Sequence, residues 1–206
     1  MAQVGLIKTT WAGTSGGPGL TQLAINNPTG DPINATQATQ AGAAVRTFWD
    51  AVKAYIPNEV SLQVLNTVDC YEVGAFNNSL ASSLTMTTTQ ATVTGTDTTS
   101  YAMAAGLKAN LHTNVIRWGR RVRGAIYIVP CGSAAYTSVG TIQAGARTAI
   151  DAAGATMLSS MATAGLNLVV WSRFNKEKHP DRTSYASIVD SVKTNESTAV
   201  LRGRRD

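Results

Sequence analysis

Nine short runs rich in Val, Ile, Thr and aromatic residues, bounded by Gly, Pro, Asn or Asp, are spread along the chain and restrict it to a β-rich architecture. They cover residues 4–11, 20–25, 60–73, 84–94, 111–118, 122–129, 166–174, 184–192 and 199–202. Val60, Leu62 and Val64 alternate with Ser61 and Gln63, which puts one face of that strand on a core. Ala125, Tyr127 and Val129 alternate with Ile126 and Ile128, so the run before Pro130 is covered on both faces. Only two segments change to a helical period. Residues 41–56 carry Val45, Phe48, Val52 and Tyr55 on one stripe and stop at Pro57. Residues 141–164 carry Ile142, Ala149, Ile150, Ala153, Met157 and Met161, with Gly165 as the C-terminal stop.

There is no repeat of fixed period, linker or compositional break, so residues 1–206 read as a single domain. An immunoglobulin sandwich needs only about 100 residues. Eight or nine strands over this length match an all-β single jelly-roll sandwich better, with two α-helices inserted between strands.

Charged residues are 14% of the chain, against about 25% in an ordinary soluble protein. A surface so poor in charge is one that neighbours cover. The net charge of +5 is also unevenly placed. Residues 1–116 hold four basic and six acidic side chains, and residues 117–206 hold thirteen and six. The second half therefore suits a polyanion, most simply nucleic acid, or merely a soluble basic surface.

Two cysteines, Cys70 and Cys131, make no metal-binding spacing and read as reduced, buried thiols. The N-terminus lacks the pattern of a signal peptide. The uncharged stretch 152–172 in the C-terminal half is broken by Gly154, Gly165 and Asn167, so no membrane span is expected. Catalytic patterns are missing as well. There is no nucleophile elbow, no HExxH, and the glycine-rich turn at 13–19 lacks the Lys of a phosphate-binding loop. His112 and His179 read as structural or solvated, and Asp69 and Glu72 as solubilising. No enzyme, cofactor or metal is expected.

Two arginine clusters remain. Arg117, Arg120, Arg121 and Arg123 fall within seven residues beside Trp118, and Arg202, Arg204 and Arg205 lie at the C-terminal end. The guanidinium fork matches phosphate oxygens, and the interspersed glycines let a backbone come close, so both clusters suit sequence-independent nucleic-acid binding. They suit equally the pairing of Arg with acids across a subunit interface.

A strand ending in Trp11 before a glycine-rich turn, a helix after the second strand, an Arg-rich entry into 123–130, a second helix and the terminal AVLRGRRD together resemble the single jelly-roll coat proteins of small icosahedral single-stranded RNA or DNA viruses. The resemblance implies two four-stranded sheets with helices in the connecting loops. It also implies homo-oligomeric self-assembly into a shell around a single-stranded genome, a virion location, and synthesis in the host cytoplasm. The long basic arm that begins many such proteins is missing here, since only Lys8 is basic before Arg46. Sixty copies at +5 carry on the order of 300 positive charges, short of the phosphates in a kilobase-scale genome. Two other readings stand beside this one: a non-assembling single-stranded nucleic-acid-binding module, and a phage-tail or carbohydrate-binding β-sandwich. For assembly, the candidate contact surfaces are the outer faces of the two helices and the Thr-rich segment 84–99.

Overall fold

In the first strand, β1 (Gln3–Ala12), Gly5, Ile7, Thr9 and Trp11 are buried while the residues between them stay half-buried, so the pleat sorts one face into a core. This computed structural model describes residues 3–12, 19–73, 78–87, 92–99, 114–118, 127–138 and 141–169. β2 (Gly19–Asn26) runs antiparallel on one side of β1, and β3 (Ser61–Val73) antiparallel on the other. β4 (Asn78–Thr85) pairs with the later part of β3, and the two-residue β5 (Val93–Thr94) with its start. Near the far edge, β10 (Asn167–Val169) pairs with β2, which gives the order β10-β2-β1-β3-β4 with β5 beside β3. Two further antiparallel pairs join β6 (Asn114–Trp118) to β7 (Tyr127–Cys131) and β8 (Tyr136–Ser138) to β9 (Thr141–Ile142).

This topology dictates where the first helix goes. β2 and β3 are each antiparallel to β1 and so parallel to each other, and parallel strands need a crossover rather than a hairpin. α1 (Ala35–Val52) is that crossover, and it buries Ala38, Ala41, Val45, Phe48, Trp49 and Val52. Its start is fixed by a capping box: Asn34 Oδ1 accepts from the Gln37 N–H at 2.9 Å, and Gln37 Oε1 accepts from the Asn34 N–H at 3.2 Å. The helix therefore begins six residues before the expected Ala41. It ends at Val52, where a 3-10 turn, Lys53–Tyr55, replaces the last expected turn.

α2 (Ala144–Thr163) buries Ala146, Ile150, Gly154, Met157 and Met161. Its end follows expectation. Gly165 has φ +73°, its N–H bonds the Ala162 carbonyl, and the Leu166 N–H reaches back to Met161 O, with Leu166 and Met161 both buried. The side-chain amide of Gln37 donates to Ala164 O at 3.2 Å, so the start of α1 lies beside the end of α2 and the two run in opposite senses.

One apolar cluster unites the inner face of the sheet with both helices. At its centre the Trp49 indole N–H donates to Thr9 Oγ1 at 3.2 Å, a buried polar contact between α1 and β1. A Cβ on Gly19 would overlap the Trp11 indole, so only glycine allows β2 to lie that close to Trp11. Beyond the sheet, the buried Asp97 accepts from the Thr99 N–H at 2.8 Å and the Ala134 N–H at 2.7 Å, tying the segment after β5 to the one after β7.

The molecule is thus β-rich and antiparallel with two helices, as the sequence leads one to expect. In one respect the layering differs. Among the described residues the layer packed on the main sheet is the helix pair, because α1 is a crossover and not a rim insertion. The strand expected at 84–94 divides into β4, which starts earlier, and the short β5; between them Met86 is fully buried and its N–H bonds Asn66 O. Cys70 and Cys131 are both buried and neither is in a disulfide. The runs at 184–192 and 199–202 lie outside the described residues.

Replacing Trp49 by Phe is expected to lower the unfolding free energy by about 1–3 kcal/mol, through lost volume and the lost indole bond. In a double-mutant cycle with Thr9→Val, read by urea denaturation, the two should couple by about 0.5–1.5 kcal/mol. Strict additivity would show that the indole–hydroxyl contact contributes nothing.

Candidate surfaces for self-association and nucleic acid

Of the arginines singled out by the sequence, Arg117 lies in β6 with its backbone opposite Ile128. Its side chain, and the whole of Arg120, Arg121, Arg123, Arg202, Arg204 and Arg205, lie outside the described residues, as do His112 and His179. Among the described residues no three of His, Cys, Asp and Glu come together as a metal site, and no helix is long and apolar enough to cross a membrane. Three surfaces are defined well enough to weigh.

The first is the solvent side of the helix pair. α1 contains two charged residues in 18, Arg46 and Asp50, and α2 two in 20, Arg147 and Asp151. Each set forms an i,i+4 pair, Arg46 Nε to Asp50 at 2.9 Å and Arg147 Nε to Asp151 at 3.9 Å, with Lys53 a further 3.7 Å contact to Asp50. Because the helices are antiparallel, the end of α1 sits near the start of α2, and every one of these charges gathers at one end of the pair. The other end exposes Ala35, Thr36, Gln40, Ala43, Ala155, Thr156, Ser159, Ser160, Ala162 and Thr163, with no charge among them. Thr156 and Thr163 donate their hydroxyls to the carbonyls four residues back, both at 3.0 Å. A dent of about 70 Å³ lies between the helices, with Phe48 and Met157 at its base and Ala44, Thr47, Ala153 and Ser160 around it.

The second is the sheet face turned away from the helices. Here Lys8 Nζ donates to Asp69 Oδ2 at 2.5 Å across β1 and β3, and Ser83 Oγ on β4 donates to Asp69 Oδ1 at 2.7 Å. Partial burial pushes the Asp69 carboxyl up, but the hydrogen bonds from Lys8 and Ser83 and the Lys8 charge outweigh it and hold the group below the ordinary aspartate value. Far from merely solubilising the surface, Asp69 joins three strands. Nothing local in the sequence marks this, since Lys8 and Asp69 are 61 residues apart and meet only through the β1–β3 register.

The third is the edge strand β4. It is uncharged and presents Leu80, 57% exposed, the one large apolar side chain in solvent among the described residues. An extra residue, Ala81, interrupts its register with β3, and such a bulge twists an edge away from regular strand addition.

The state of Asp69 sets a direction for pH. A carboxyl held below its unfolded value contributes stability that is full above the ordinary aspartate range and is lost as pH falls through the lowered value. Asp69→Asn should therefore lower thermal stability most at neutral pH, with the two profiles converging in acid so that the variant's acid limb is flatter; an unchanged acid limb would show that another group dominates it. Comparison of the chain with family models, with curated proteins and with solved structures finds no match in any of the three.

Proposed function

We propose that this protein is a viral capsid subunit that self-assembles into an icosahedral shell enclosing a nucleic-acid genome. The observation that carries the reading is the solvent face of the helix pair, whose few charges are already paired along their own helices while half of the face has none. A soluble monomer is kept dispersed by interspersed surface charge. A subunit surrounded by copies of itself needs surfaces that lose water cheaply, and small neutral side chains do so. The low overall charge of 14% points the same way.

The jelly-roll form of this proposal takes the main sheet as one layer and assigns the second to β6–β7, β8–β9 and the strand-like runs outside the described residues. In the same proposal the two arginine clusters line the inner surface and bind single-stranded nucleic acid through its phosphates. Electroneutrality inside such a shell needs further cations, since +5 per copy is small against a genome.

Negative-stain microscopy of the expressed protein should show closed particles of uniform diameter. A protein that stays monomeric at high concentration across salt and pH would overturn the assembly reading. Independently, single-stranded nucleic acid should bind with an affinity that falls steeply with salt, and the Arg120, Arg121 and Arg123 to Ala variant should bind more weakly with a shallower salt slope. Equal binding by that variant would remove those arginines from the contact.

A further inference from the structure

We propose that the sheet face turned away from the helices is the docking site of this chain's own C-terminal segment, residues 170–206, over the corner where β10, β2 and β1 lie side by side. The proposal stands apart from the shell reading and holds equally for a monomer. Strand register lays the face out. Leu80, Tyr71, Val4 and Asn26 lie opposite one another in one row across β4, β3, β1 and β2, and Asp69, Leu6 and Ala24 in the next across β3, β1 and β2. Beside the Lys8–Asp69 pair, this end of the face is therefore largely apolar.

Burial along these rows is graded. Leu80 at the β4 edge is 57% exposed, Tyr71, Val4 and Leu6 are half-buried, and Ala24 in β2 is 1% exposed. Ala24 does not belong to the cluster on the opposite face, which α1 and α2 fill and to which β7 adds Val129 and Cys131. Two residues along the strand, Asn26 carries a second mark, because its Oδ1 is buried and has no hydrogen-bond partner. Buried carbonyl oxygens are almost always paired, so this one calls for an N–H from a cover over the corner.

The occupant follows from where the chain leads. Asn167 and Val169 of β10 lie opposite Asn26 and Ala24, so residues 170–206 begin at the covered corner. By contrast, 13–18 joins β1 to β2 at the other end of the sheet, and 74–77 joins β3 to β4 on the exposed side. Length suffices as well. From β10 to β4 is four strand spacings, about 19 Å, which about six extended residues span. The strand-like run 184–192 is longer than that, and its Tyr185, Ile188, Val189 and Val192 suit an apolar floor while an extended backbone supplies N–H donors. A second copy fits less well, since Ala24 is already buried within one chain and the open side of the face is the one at Leu80.

The test is limited trypsin digestion of the full chain, with mass spectrometry reading cleavage after Arg182 and Lys193, which flank the run. Both bonds should be cut at least tenfold more slowly in the wild type than in the urea-unfolded chain. Leu6→Glu at the covered corner should remove most of that protection, and Leu80→Glu at the exposed edge should leave it intact, circular dichroism confirming that each variant is folded. Ile188→Glu, which changes the segment and not the sheet, should expose the bonds as Leu6→Glu does and keeps the test open if Leu6→Glu fails to fold. Cleavage in the wild type as fast as in urea would overturn the proposal, as would Leu6→Glu and Ile188→Glu variants that stay protected. Equal loss of protection in Leu80→Glu would overturn it too, by showing general loosening. Protection that vanishes on dilution would assign the cover to a second copy and overturn the intramolecular contact. None of these outcomes bears on whether particles form, which microscopy reads separately.

Discussion

The contact between the Trp49 indole and the Thr9 hydroxyl sits where the crossover helix meets the central strand, and the remaining layers are arranged around that meeting. β1 has a partner on each side and lies under α1, so its inner face must be filled by side chains that satisfy both neighbours. A buried indole N–H needs an acceptor, and a Thr on the inner face of a strand is one of few residues that supply it without a charge. The β1–β3 register also shifts between Ile7 and Thr9, so the acceptor stands beside an irregularity in the ladder. Helix position and strand irregularity meet at one point in the core.

From this core the two sides of the molecule diverge in character. The sheet face away from the helices keeps a half-buried ion pair braced by a serine, a device that ties strands together and resists acid only down to the lowered carboxyl value. The helix side keeps its charges at one end and leaves the other bare of them. A sheet face that holds its own charge pair has little to gain from a neutral neighbour. A bare helix face has no charge to desolvate.

Much of this was legible in the residues themselves. The β-branched run 4–11 and the alternation in 60–64 placed two central strands, and Gly165 marked the end of α2. What escaped was non-local. The start of α1 was hidden because the capping box Asn34–Gln37 precedes the apolar stripe, with no large apolar residue between them to continue it. That β2 and β3 flank β1 in parallel, and so turn α1 into a cover for the sheet, depends on pairing across 40 residues or more, which periodicity cannot report. The gathering of charge at one end of the helix pair needed the antiparallel packing of two helices that are far apart in the chain. The arginine clusters, the strongest local signal in the sequence, fall for the most part outside the described residues, so their weight in the functional reading is that of the sequence alone.

Gln37 has a consequence that reaches past its role as a cap. One face of its carboxamide accepts from the backbone that opens α1, and the other donates to the carbonyl just past the end of α2. The two helices are therefore pinned lengthwise at a single side chain, and the pin lies at the uncharged end, where relative sliding would most disturb a flat neutral face. A subunit whose neighbours must all find the same outline gains from such a lock, because it sets the shape of the outer layer before any neighbour arrives.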